Sequence, residues 1–375
     1  MRDAQRTNHL ARAALACGSA LCLVVSTAAA QPQTFRQYQL EPNADRSRYE
    51  LVLRTVEMPA VGPEEVLVRV HAAALNGGLD IEMLEAIGPG IPDFTGRVPV
   101  SDAAGEIVAI GDGVERFAVG DRVVTTYVPD WIDGDLLDDY FSSIRGIEAD
   151  GVLSEYIVVD QSALVAPPAY LSFEEAATLP VAGLTAWVSL FKYGGLEADE
   201  FVLLEGTGGV STFGLVFSVA AGARPIITSS SDRKLERATA LGAFGTVNYL
   251  TYPEWHERVR ALTGGTGVDH VLEVGGRDTL EKALQSLAYN GHAALIGMLT
   301  GFYSEIPAAP VLGANARLTA IFVGSRADFE DMNEFLAEHE PRPVIDRVFE
   351  FEDAPAAFEH MASGDYMGKI VIRVR

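Results

Sequence analysis

Gly206, Gly208 and Gly209 stand directly after an apolar run, Phe201 to Leu204, and directly before a stretch in which Val210, Phe213, Phe217 and Ala220 recur at helical spacing. Glycines leave main-chain amides uncovered, and uncovered amides at a helix N-terminus attract a phosphate. Ser211 replaces the third glycine of the usual pattern. The order of elements is nevertheless complete, because Gly222 supplies a helix stop and Pro225 to Thr228 resumes an extended strand. This describes a dinucleotide-binding βαβ unit with Gly206, Thr207, Gly208, Gly209 and Val210 at the pyrophosphate. A tight turn without a ligand is the competing reading.

The end of the second strand selects the nucleotide. An NAD site usually places Asp or Glu about 20 residues beyond the glycines to bind the ribose hydroxyls. Here Thr228, Ser229, Ser230 and Ser231 occupy that place, followed by Arg233 and Lys234. Hydroxyl donors and cations suit a ribose 2′-phosphate, so NADP is preferred, while Asp232 keeps NAD open. Ser231 or Asp232 also reads as a helix N-cap with Arg233 and Lys234 on a solvated face, and the two readings are compatible.

Other chemistries are excluded by residue type. The two cysteines, Cys17 and Cys22, lie in the first 30 residues, so the remainder has no thiol for catalysis, disulfides or zinc. The histidines from His71 onward show no HxH or HxxxH spacing, and no metal site is expected. Asp130, Asp133, Asp135, Asp138 and Asp139 lack a calcium-loop spacing and read as a solvated loop. The net charge of −24 over 375 residues argues against nucleic acid and anionic membrane surfaces. Partners are expected to be small molecules or further copies of the chain.

Residues 1–30 form a separate object. Arg2, Arg6 and Arg12 precede an apolar stretch, Ala13 to Val25, and Ala28-Ala29-Ala30 makes a small-residue cleavage pattern before Gln31. This predicts a signal peptide and a periplasmic or secreted mature chain without a membrane segment. Its net charge is then −26, after loss of three arginines and Asp3. An upstream mis-assigned start, with a cytoplasmic protein, or an uncleaved anchor is the alternative.

The elements that must position these residues divide at the glycine-rich unit. Val66 to Val70, Ala104 to Ile110 and Asp121 to Thr126 are short alternating strands of a β-rich part. Beyond Ser172, which opens a helix by a capping box with Glu175, strands alternate with helices. Val268 to Val274, His292 to Gly297 and Leu318 to Val323 are the later strands, Ala354 to Ser363 is helical, and Lys369 to Val374 closes the chain by rejoining the first part.

The segments VLVRVHAAALN (66–76), SDAAGEIVAIGDGVERFAVGDRVV (101–124), LSFEEAATLPVAGLTAW (171–187), EGTGGVS (205–211) and GVDHVLEVGG (267–276) resemble the medium-chain dehydrogenase/reductase superfamily, in its zinc-independent quinone-oxidoreductase-like branch. The resemblance implies an α/β protein with a doubly wound Rossmann sheet and a GroES-like β-rich substrate domain. The boundaries expected are 35–167 for the first part of the substrate domain, 168–317 for the NADP-binding domain, and 318–375 for the sixth strand and the return. It further implies a homodimer or homotetramer. Zinc-dependent relatives place Cys, His and Cys where Asn76, Ser101 and Val181 stand here, so no zinc is expected.

Without a Lewis acid to stabilise an alkoxide, the easier chemistry is hydride delivery to a quinone or α,β-unsaturated carbonyl, whose anion is delocalised. The resemblance points to Asn76 and Thr185 near the substrate or nicotinamide, and to Val323 and Ser325 in a segment closing over it. Gly275 and Gly297 complete the cofactor-binding set. Asn76 also reads as capping a turn before Gly77-Gly78, Thr185 as packing, and Tyr127 and Tyr156 as proton donors or aromatic walls. An NADP-linked alcohol dehydrogenase without zinc and a non-catalytic NADPH sensor are the alternatives.

Overall fold

The computed structural model describes residues 32–301 and 305–375; the signal segment read at 1–30 lies outside the described residues. The β-rich part begins with a hairpin of β1 (Thr34–Pro42) and β2 (Tyr49–Glu57). It continues with β3 (Glu65–Ala74), helix α1 (Gly77–Glu85), β4 (Asp102–Ile110), β5 (Arg122–Thr125), β6 (Tyr156–Asp160) and β7 (Leu164–Val165). A helical stretch follows, with α2 (Phe173–Ala176), a π-turn at Leu179–Gly183 and α3 (Leu184–Trp187). The predicted capping box of Ser172 and Glu175 opens it. Next come β8 (Phe201–Leu204), α4 (Gly209–Ala220), β9 (Arg224–Ser229), α5 (Asp232–Ala240), β10 (Gly245–Asn248), β11 (Val268–Glu273), β12 (Leu287–Leu295) and β13 (Arg317–Ala320). The return consists of β14 (Ile345–Glu350) and β15 (Lys369–Arg373).

Among the described residues, β8 to β13 form a six-stranded parallel sheet in the order β10-β9-β8-β11-β12-β13. That is the doubly wound order of a Rossmann fold, whose strand order reverses between β8 and β11. Central strands of such a sheet are covered on both faces and therefore read as continuous apolar runs, as Val202 to Leu204 do, all fully buried. Helix α4 packs on them through Phe213 and Phe217, and Gly214 lets Leu204 and Leu272 approach.

Strands β3 to β7 with β14 and β15 make a seven-stranded sheet in which β15 lies between β14 and β3. One apolar cluster runs from Ala72, Ala104 and Val124 of this sheet to Leu204, Phe213 and Leu272 of the other, so the two sheets share a core. Two local expectations need correction. Gly77 and Gly78 begin helix α1 rather than a turn, with Asn76 at its N-cap position. The sixth parallel strand ends at Ala320, and Val323 has left-handed backbone, φ 51°, which a continuing strand could not adopt.

Candidate active site

The Leu75 amide donates to the Ile370 carbonyl at 2.9 Å, and this register between β3 and β15 brings the next residues, Asn76 and Lys369, together. Lys369 Nζ donates to Asn76 Oδ1 at 2.5 Å and lies 3.5 Å from Asp102 Oδ2. Asn76 Nδ2 donates to Ser101 Oγ at 3.3 Å, and Ser101 Oγ donates to Asp102 Oδ1 at 2.7 Å. The Val181 amide donates to Asp102 Oδ2, and Asp80 Oδ2 accepts the Asn76 amide at 2.6 Å. A lysine can only donate, so the Asn76 amide is fixed with its oxygen toward Lys369 and its nitrogen toward Ser101. The Asn76 side chain also donates to the Asp102 carboxyl, so both Ser101 and Asp102 face its nitrogen.

Burial governs the charges of this cluster. Lys369 is 2 % and Asp102 0 % exposed. Loss of hydration pushes Asp102 above and Lys369 below its ordinary range, each opposed by the charge of the other. The same cause lifts Asp80 to about 7. The sequence reading found Asn76, named Ser101 only as standing at a zinc-ligand position of relatives, and assigned no role to Lys369, Asp102 or Asp80. Lys369 is separated from Asn76 by 293 positions, and the available signal was that a lysine opened an otherwise apolar closing strand.

Lys369 also ties this cluster to the glycine-rich turn. Its stem lies where a Cβ on Gly209 would come within 2.9 Å, and the Gly368 amide donates to the Thr207 carbonyl at 2.9 Å. Gly206 has φ 70°, and its amide donates to Thr228 Oγ1. A Cβ on Gly208 would meet nothing within 4 Å, and Gly208 caps α4 with no side-chain bond, so the first amides of the helix are open. Val210 follows, half-buried.

A cleft of about 480 Å³ opens beside this turn at the carboxyl ends of β8 and β11, lined by Glu205, Gly206, Thr228, Trp255, Gly275 and Thr279 among others. Trp255 forms one of its walls. Gly297 stands where β12 ends, its missing Cβ leaving room for the Val274 carbonyl. Two carboxyls missed from sequence face each other at the inner end. Glu273 accepts the Gly276 amide at 2.9 Å and the Thr279 hydroxyl, and Glu205 accepts the Val274 amide at 3.3 Å. The second oxygen of Glu205 is enclosed without a partner. Burial, and then the Glu273 charge, raise the Glu205 carboxyl well above its usual range, so it is the one that keeps its proton.

The residues after β9 serve two purposes. Ser231 caps α5 by accepting the Lys234 amide, and Ser229 Oγ accepts the Ser231 amide. Arg233 pairs with Asp365 at 2.8 Å while remaining on the solvated face, as expected, whereas Lys234 is buried and its Nζ donates to the Gly364 carbonyl. Ser230 is exposed. Tyr127 lies with its ring 6.0 Å from Phe322, just before Val323, and burial with the nearby Asp80 and Asp102 charges raises its hydroxyl pKa. Thr185 is buried in α3. Ser325 closes a capping box with Asp328 at the start of the helix Arg326–His339, so its hydroxyl is committed to structure. Tyr156 packs with Phe35 and Leu67 in a separate cluster of the β-rich part.

A doubly wound sheet with an open glycine turn, joined to a β-rich part that adds a buried polar cluster, defines a nucleotide-dependent oxidoreductase. Residues 62–169 match the family model for the alcohol dehydrogenase GroES-like domain, and residues 209–338 that for zinc-binding dehydrogenase. A zinc-type alcohol dehydrogenase-like protein of Schizosaccharomyces pombe is 40 % identical over 320 residues, 84 % of this chain and 92 % of the relative. A crystal structure of an alcohol dehydrogenase from Sinorhizobium meliloti superposes with a TM-score of 0.86 at 38 % identity, covering 92 % of this chain and 100 % of that one. A crotonyl-CoA reductase of Streptomyces collinus is 25 % identical over 372 residues, covering 88 % of this chain and 83 % of the relative. The chain belongs to the medium-chain dehydrogenase/reductase superfamily and is an NAD(P)H-dependent oxidoreductase of that type.

Proposed function

We propose that this enzyme transfers hydride from NADPH to a quinone or α,β-unsaturated carbonyl compound, without zinc, and that Asn76 binds the substrate oxygen. The observation that carries the reading is the fixed Asn76 amide. Lys369 holds its oxygen, so the amide nitrogen is the end that can donate to a carbonyl in exchange for Ser101 or Asp102, and the cation behind it strengthens that donor as negative charge develops on the substrate. Lys369 is thus a positioning residue, itself held by Asp102. The donor set does not suit zinc: the Asn76 oxygen and the Asp102 carboxyl already hold a buried ammonium, and a second cation beside Lys369 would be repelled. Among the described residues no group of three or more His, Cys, Asp or Glu could hold a metal.

The open amides of α4 and the adjoining cleft suit a dinucleotide, and Ser229, Ser230, Arg233 and Lys234 supply donors for a 2′-phosphate. When bound, the cofactor supplies the hydride. The crotonyl-CoA reductase relative is named for reduction of a conjugated acyl group, which supports the enone class. The parallel sheet ends in β13, whose outer edge is the surface proposed to pair in a homodimer or homotetramer. The test is NADPH oxidation by the chain starting at Gln31, with a chelator present, against quinones, enones and aldehydes and with NADH as control. Asn76→Asp removes the amide donor, and kcat/KM with the best acceptor is expected to fall about 10²-fold with NADPH affinity unchanged. An unaltered rate in that variant would remove Asn76 from the mechanism.

A further inference from the structure

We propose that Arg145 is a binding site for an oxyanion on the substrate, a carboxylate or phosphate carried by the carbonyl compound that the enzyme reduces. The inference rests on the function proposed above and narrows its substrate class. Arg145 sits in a tight turn in which the Gly146 amide donates to Ala149 and the amides of Glu148 and Ala149 both donate to Ile144. Its own amide donates to the carbonyl of Tyr127 at 3.0 Å. The side chain is 7 % exposed, yet its sole hydrogen bond runs from Nε to the Thr126 carbonyl at 3.4 Å. Among the described residues the two terminal nitrogens have no hydrogen-bond partner, and neither is fully enclosed.

A shortage of counter-ions does not explain this. Acidic residues outnumber basic ones 52 to 28, and the part-buried Arg36, Arg69, Arg116 and Arg326 each have a carboxylate within 3.5 Å. The part-buried Arg122 and Arg260 also lack a carboxylate, but their terminal nitrogens donate to main-chain carbonyls of Ala169, Leu171, Leu287 and Gly265, whereas those of Arg145 donate to nothing among the described residues. Burial by itself accordingly pushes its guanidinium down to about 10, with no neighbouring charge opposing the shift. A buried ion without a partner costs several kcal/mol, which a bidentate oxyanion offsets.

The mount is rigid and linked to the site. A Cβ on Gly151 would stand 2.2 Å from the Val100 carbonyl oxygen, and one on Gly146 3.3 Å from the Val100 carbonyl carbon, so the turn is clamped to the segment that leads into Ser101 and Asp102. Val100 itself holds φ 71°, a left-handed backbone that a β-branched residue rarely adopts. The guanidinium and the Asn76 cluster are therefore carried by the same clamped pair of segments, one placed for an oxyanion and the other for a carbonyl oxygen.

The probe is 3-benzoylacrylate, an enone bearing a carboxylate, against its methyl ester. The wild-type protein is expected to show a KM for the acid at least tenfold below that for the ester. Arg145→Met and Arg145→Gln should abolish the difference by raising KM for the acid, leaving kcat/KM for the ester within twofold and NADPH affinity unchanged. Arg145→Lys, which keeps the charge but not the fork, should retain part of the preference. Calorimetry of both compounds on the wild-type protein with NADP⁺ gives a second readout. Tighter binding of the acid with no turnover of either compound would leave the oxyanion site standing and overturn enone reduction. Inorganic phosphate is the third probe, and phosphate that competes more strongly than the acid would assign the site to phosphate esters. Equal use and equal binding of acid and ester, with no competition by phosphate, would overturn the proposal, as would a loss of NADPH affinity in Arg145→Met.

Discussion

Glu205 stands at the end of the first parallel strand, where its chain neighbour Gly206 begins the nucleotide turn, and it carries an enclosed oxygen with no partner. Its pKa is raised in the folded chain, first by burial and then by Glu273. The folded protein therefore holds a proton that the unfolded chain releases near the ordinary carboxylate range, and stability falls as pH rises through the raised value. Glu205→Gln keeps the shape, cannot ionise and can donate to Glu273. Above neutral pH it is expected to be more stable than the wild type by about 1 to 3 kcal/mol, the cost of one buried unpaired polar group. Near pH 4.5 the two should coincide. Urea unfolding across that range measures it, and parallel stability curves would show that Glu205 ionises freely.

At the scale of elements, two glycines that look alike in sequence do different work. Gly208 has φ −77° and open space where a Cβ would go, whereas a Cβ on Gly151 would strike main-chain oxygens of Pro99 and Val100. Gly151→Ala is expected to cost about 1 to 3 kcal/mol of stability through overpacking, with cofactor affinity retained at temperatures where the fold persists. Gly208→Ala should leave the melting temperature nearly unchanged and weaken NADPH binding, because its methyl group covers amides that a phosphate needs. Calorimetric melting and a binding titration on each variant separate the two effects. The glycine-rich βαβ unit was legible because turn, helix and strand are local in sequence, and β8, α4 and β9 lie within a residue of where spacing put them. Helix α1 was not, because Gly77-Gly78 is turn chemistry by composition, and the Asp80 carboxylate that holds the Asn76 amide was not counted as a cap. Lys369 and Arg145 were illegible for a different reason: each acquires its meaning from a partner, or from the lack of one, in three dimensions.

For the whole molecule, the shared core of the two sheets fixes the β-rich part against the nucleotide turn, and the Gly368–Thr207 bond joins them at the site itself. The acidic charge of −24 suits encounters with small molecules through local cations rather than through a basic surface. Export is a separate proposal, drawn from Arg2 to Ala30. Mass measurement of the protein from its native envelope fraction is expected to give Gln31 as the first residue, and a full-length cytosolic species would overturn it. The strand β15 has one more consequence. It lies in the interior of its sheet and delivers Lys369 to a residue made 293 positions earlier, so a chain emerging from the ribosome completes its nucleotide turn long before the Asn76 amide is oriented. If Asn76 acts as proposed, nucleotide recognition and carbonyl recognition mature in sequence, and a nascent chain halted before residue 369 would carry its glycine turn without an oriented Asn76.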